Sequence, residues 1–135
     1  MLLILLAMPT VLIVDGFRDL VASLAQELET NRWRVLGVHT IDEARRVAEG
    51  IHVDVVLTDE VLPEGKGILV EHAFRSSEAT GLKQTPFVYM VSSASVTSTL
   101  QGKVVLPKPF TFEQALEKLT SAAGTADASD AGANS

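Results

Sequence analysis

Four short apolar runs in this chain each stop at a polar side chain capable of chemistry. Val11-Leu12-Ile13-Val14 ends at Asp15, and Val53 to Thr58 ends at Asp59. Phe87-Val88-Tyr89-Met90-Val91 ends at Ser92, and Val104-Val105-Leu106-Pro107 ends at Lys108. Runs of this length, separated by segments of helical period, read as strands of a parallel sheet buried on both faces. Ligands of such sheets collect beyond the carboxyl ends of the strands, where the strand order reverses. Two carboxylates, a hydroxyl and an ammonium are therefore expected in one pocket. That set suits a cation beside an acceptor carboxylate and two groups for phosphoryl oxygens.

At 135 residues the chain suits one α/β domain with a full core. A net charge of -6 argues against a nucleic-acid surface on this domain, and an acidic pocket favours a hard divalent cation. The absence of cysteine excludes disulfides, thiolate metal sites and a cysteine nucleophile, and fits a cytoplasmic location.

Met1 to Ala7 is almost wholly apolar but has no basic flank, is too short to span a membrane and leaves no room for a cleavage site before the first strand. Residues 1–8 are read as an extension, arising from an upstream start before Met8 or serving as a contact for a homodimer. Ser121 to Ser135 is rich in Ala, Ser, Gly and Asp without large apolar residues, so residues 123–135 are expected to form a flexible tail after a domain spanning 9–122.

Between the ends, strands and helices alternate. Leu20, Val21, Leu24, Ala25 and Leu28 share a helical face, and Trp33 to Val38 reads as the second strand. Thr40-Ile41-Asp42-Glu43 and Thr111-Phe112-Glu113-Gln114 are capping-box patterns. Gly65 to Ser77 reads as helix with Ile68, Leu69 and Ala73 inward. Only 15 residues separate Ser92 from Lys108, and Ser93 to Thr99 is rich in hydroxyl and β-branched side chains. The helix expected there is short, distorted or missing.

Val11-Leu12-Ile13-Val14-Asp15, Asp59-Glu60-Val61-Leu62-Pro63 with Gly67, Val91-Ser92 and Lys108-Pro109-Phe110 together resemble the receiver domain of two-component response regulators. The resemblance runs from about Pro9 to Ala122. It implies a flavodoxin-like, doubly wound five-stranded sheet of order 2-1-3-4-5, a topology long associated with a chemotaxis receiver. It also implies that Asp59 accepts a phosphoryl group from a histidine kinase or phosphotransfer protein, that Ser92 and Lys108 contact that group, and that Mg²⁺ is held by Asp15, Asp59 and the Val61 carbonyl. A cis Lys108-Pro109 bond belongs to the same pattern. Such a domain signals to an output protein through its surface and is not an enzyme beyond its own phosphorylation and dephosphorylation; neither nucleic acid nor membrane is a partner.

Three features depart from that pattern. Gly16 stands where the family has a second acid, so Mg²⁺ should bind weakly unless Glu60 or Asp19 compensates. The helix after Ser92 is contracted, and Val105 replaces the aromatic expected three residues before the lysine. The alternative is a degenerate receiver serving as a phosphorylation-independent interaction module. A dehalogenase-type phosphatase would need an Asp where Phe17 stands, and Gly16-Phe17-Arg18-Asp19 is no flavodoxin phosphate loop.

Overall fold

The computed structural model describes residues 8–79, 81–92 and 100–134, with side chains through Gly124. Met1 to Ala7, Ser93 to Thr99 and Ser135 lie outside the described residues, and with them the dimer-contact and shortened-helix expectations.

Strands β1 (Thr10–Val14), β2 (Arg34–Val38), β3 (Val55–Asp59), β6 (Phe87–Ser92) and β7 (Val104–Lys108) form one parallel sheet of order β2-β1-β3-β6-β7. This is the expected 2-1-3-4-5 order. A small antiparallel hairpin, β4 (Val61–Leu62) with β5 (Gly65–Lys66), follows β3 directly. Helices α1 (Arg18–Thr30), α2 (Ile41–Gly50), α3 (Ile68–Arg75) and α4 (Phe112–Asn134) connect or follow the strands.

Because successive strand side chains point to opposite faces, β1 serves two cores. Leu12 and Val14 pack with Ala44 and Ala48 of α2 and Val70 and Phe74 of α3. Val11 and Ile13 pack with Val21, Leu24 and Leu28 of α1 and Ala115 and Leu119 of α4. Burying each large side chain contributes about 1.5–3 kcal/mol, which selects this register over a one-residue slip. Asp54 interrupts the third apolar run because it staples two strand starts together. Its carboxylate accepts from the Thr10 amide at 2.7 Å, and its own amide donates to the Thr10 carbonyl at 2.8 Å.

Both capping patterns cap their helices, the first with its return bond one residue before the N-cap. The Thr40 hydroxyl accepts from the Glu43 amide at 3.1 Å, while Glu43 reaches back to the His39 amide at 3.1 Å. Thr111 and Gln114 cap each other reciprocally.

One local expectation changes. Helix α3 starts at Ile68, because Gly65 and Lys66 belong to the hairpin, and its inward face is Val70, Glu71 and Phe74 while Leu69 is exposed. Helix α4 continues to Asn134 across the residues whose composition suggests a tail. Extending an existing helix through Ala-rich sequence is cheap compared with nucleating one, and it requires no apolar face.

Candidate functional site

Strand order reverses between β1 and β3, and the four polar side chains stand at the carboxyl ends of β1, β3, β6 and β7. Asp15 is almost wholly buried. Its amide donates to the Val38 carbonyl at 3.1 Å, and its Oδ1 accepts from the Phe17 amide at 2.8 Å. Its Oδ2 has no hydrogen-bond partner. A buried carboxylate oxygen left in that state needs a cation beside it.

Lys108 supplies one. Its Nζ stands 3.5 Å from Asp15 Oδ2 and 3.5 Å from Asp59 Oδ2. Asp59 is half-buried, and its carboxyl pKa is raised by burial first and by the Asp15 charge second. The Lys108 ammonium and the Val61 amide, which donates to the carboxylate, oppose that rise without cancelling it. Ser92 is exposed at the end of β6 and lies in register with Lys108. The Lys108-Pro109 bond is cis, as the resemblance implies.

The hairpin closes the site from the side. A Cβ built on Gly16 would lie 2.9 Å from Pro63 Cγ, so Pro63 packs against the backbone where the second acid would stand. Glu64 extends from the same hairpin to accept from the Ile41 amide at 2.6 Å, tying it to the start of α2. Glu60 Oε2 is buried without a hydrogen-bond partner. Among the described residues no three His, Cys, Asp or Glu side chains gather as a metal-holding group, so neither Glu60 nor Asp19 completes a set with Asp15 and Asp59.

His39 follows β2 directly, and its Nδ1 lies 2.9 Å from the Asp15 carbonyl. A carbonyl only accepts, so Nδ1 carries the hydrogen. His39 thereby steadies the loop that presents Asp15, and the one local signal for it is its position directly after an apolar strand. At the expected place of the family's mobile aromatic, Val105 lies partly buried in register with Tyr89 on β6. No helix among the described residues is long and apolar enough to cross a membrane.

No protein-family model and no curated protein sequence matches this chain. Solved structures do. Chemotaxis protein CheY4 of Vibrio cholerae superposes with a TM-score of 0.77 at 24% identity, covering 86% of this chain and 99% of that one. The non-phosphorylated HemR receiver domain of Leptospira biflexa gives 0.73 at 28%, covering 85% and 94%. The receiver domain of a Pseudomonas aeruginosa sensor histidine kinase, with a magnesium ion coordinated in its active site cleft, gives 0.70 at 21%, covering 87% and 99%. With the sheet order and the strand-end site already in place, these likenesses give the chain the fold of a response regulator receiver domain.

Proposed function

We propose that the chain is a receiver that accepts a phosphoryl group on Asp59 from a histidine kinase or phosphotransfer protein in the cytoplasm and passes the signal on by protein-protein contact. The observation that carries this reading is the Lys108 ammonium placed 3.5 Å from each of two carboxylates at the carboxyl edge of a receiver fold. Asp59 Oδ attacks phosphorus; the new O–P bond forms as the bond to the donor group breaks, and the donor leaves with the electron pair. Lys108 balances charge on the transferred oxygens, and Ser92 donates a hydrogen bond to one of them. Oδ2 of buried Asp15, which accepts no hydrogen bond, suits a hard cation, so Asp15, Asp59 and the Val61 carbonyl would hold Mg²⁺. When bound, Mg²⁺ supplies further neutralisation of the phosphoryl oxygens.

Incubation with Mg²⁺ and a small-molecule phosphodonor should add the mass of one phosphoryl group, and Asp59→Asn should abolish the gain. Absence of any gain in the native chain would favour the phosphorylation-independent interaction module. Asp59→Asn should also change stability. The folded pKa of Asp59 lies above its ordinary 3.8, so the native state binds more protons across the interval between the two values. Stability therefore falls as pH rises through that interval and stays lowered at neutral pH. Replacing the carboxylate with a neutral isostere should raise stability at pH 7 and leave it little changed at acid pH. Urea denaturation at the two pH values measures this.

Gly16→Asp should strengthen Mg²⁺ binding several-fold, because an added anionic oxygen offsets the loss of water from a hard cation. Its Cβ would press on the Pro63 ring at 2.9 Å, so stability should drop by about 1–2 kcal/mol as the hairpin shifts. Calorimetric titration and thermal melting test the two parts separately. Unchanged affinity would remove the missing carboxylate as the cause of weak binding.

A further inference from the structure

Helix α3 buries a carboxylate that the phosphoryl chemistry does not use. Glu71 is 6% exposed and is partnered by three side chains. The hydroxyl of Tyr89, wholly buried on β6, donates to Glu71 Oε1 at 2.6 Å. Lys103, at the turn leading into β7, places Nζ 3.0 Å from Glu71 Oε2. Arg75, one turn further along α3, stands 3.2 Å from the same oxygen. Arg75 is itself fixed, donating to the Thr85 carbonyl at 2.9 Å and the Leu82 carbonyl at 3.3 Å while lying 5.3 Å over the Phe87 ring. Burial pushes the Glu71 carboxyl up, but the Tyr89 hydrogen bond and Lys103 outweigh it and hold the group charged.

The Lys103 contact is the one that reaches β7. The turn from Leu100 to Lys103 closes with Lys103 N–H donating to the Leu100 carbonyl at 2.9 Å, and Gly102 adopts a φ of +83° there. Leu100 is itself buried in the core that contains Tyr89 and Phe74. Beyond this turn, β7 lies at the edge of the sheet with β6 as its sheet neighbour. Val104 is exposed, Pro107 has no N–H to give to a ladder, and among the described residues β6 is the one strand that pairs with β7.

We propose that Glu71 anchors a latch that fixes the start of β7 to α3, so that breaking the latch lets this edge strand open locally from the sheet. Tyr89 stands in register with Val105, so the latch holds a buried, hydrogen-bonded aromatic beside the position where Val105 replaces the expected one. Lys108 lies at the far end of the same strand. On the phosphoacceptor reading above, Glu71 is therefore a positioning residue for the ammonium between Asp15 and Asp59.

Native-state hydrogen exchange on the full chain tests the latch without any phosphorylation. Lys103→Met keeps the side-chain stem and removes the charge that reaches the turn; Glu71→Gln keeps the shape and removes the anchoring charge. Both should accelerate exchange of the β7 amides by about tenfold or more relative to those of β1 and β3. Wild-type β7 rates in both variants would overturn the proposal, as would equal acceleration in β1 and β3, which reports global weakening. Phosphodonor labelling of the same variants should slow as Lys108 loses its fixed position. A native chain that takes no label fails the phosphoacceptor reading alone, since the exchange data still decide the latch.

Discussion

Gly67→Ala is expected to cost about 3 kcal/mol or more, a large share of the stability of a single domain. Gly67 has φ -59° and ψ -24°, which any residue adopts, so conformational strain is not the reason. The reason is space. A Cβ at this position would overlap the Asp59 carbonyl oxygen and come within 3.1 Å of Thr58 Oγ1. The Gly67 amide also donates to the Glu60 carbonyl at 2.8 Å, which pulls the two backbones together. Backbone cannot yield as the end of a flexible side chain can, so α3 would have to move away from the end of β3. Asp59 would be re-aimed with it. Gly124→Ala is the control: nothing lies within 4 Å of its added carbon, and in the body of α4 it should gain about 0.5–1 kcal/mol. Urea denaturation of the two variants should therefore move in opposite directions. Equal midpoints would show that the backbones are not in close contact.

The contrast between those glycines marks what local sequence can convey. Strand ends were legible because burial on both faces forces continuous apolar runs, and a run of that kind has a visible end. Asp15, Asp59, Ser92 and Lys108 stand at such ends, and the candidate site rests on their common edge. The two capping boxes were legible because each is written within four residues. Contacts between distant segments leave no such mark. Glu71 sits in a helical pattern where a charge ordinarily faces water, and two of its three partners lie 18 and 32 residues away. His39 is equally silent, since its link to Asp15 spans 24 residues. The inward face of α3 is legible only in part for a related reason: Ile68 packs against the core as its spacing predicts, whereas Leu69 is exposed. A two-residue β-strand pair at Val61 to Lys66 takes the place of the helix's first turn, and so rotates which side chains face the core.

Lys108→Met is expected to separate cation binding from phosphoryl transfer. In the native chain one ammonium stands 3.5 Å from both Asp15 and Asp59. Its removal leaves a nearly wholly buried carboxylate facing a half-buried one with no positive charge between them. Loss of one partner from a buried charge set costs about 3–5 kcal/mol; with Lys108 a third exposed and able to draw on solvent screening, about 2 kcal/mol is the better figure here. The same change removes the competitor for a divalent cation. Mg²⁺ should therefore bind about tenfold more tightly, a difference of ~1.4 kcal/mol, and the melting temperature should become markedly dependent on Mg²⁺. Transfer of the phosphoryl group should nonetheless slow, because the methionine stem fills the space without balancing charge on the transferred oxygens. Thermal melts across a Mg²⁺ titration, paired with mass measurement after a phosphodonor, read the two effects independently. A variant that bound Mg²⁺ no better than the native chain would show that Lys108 does not compete for the cation. One that was phosphorylated at the native rate would show that it does not contact the transferred group.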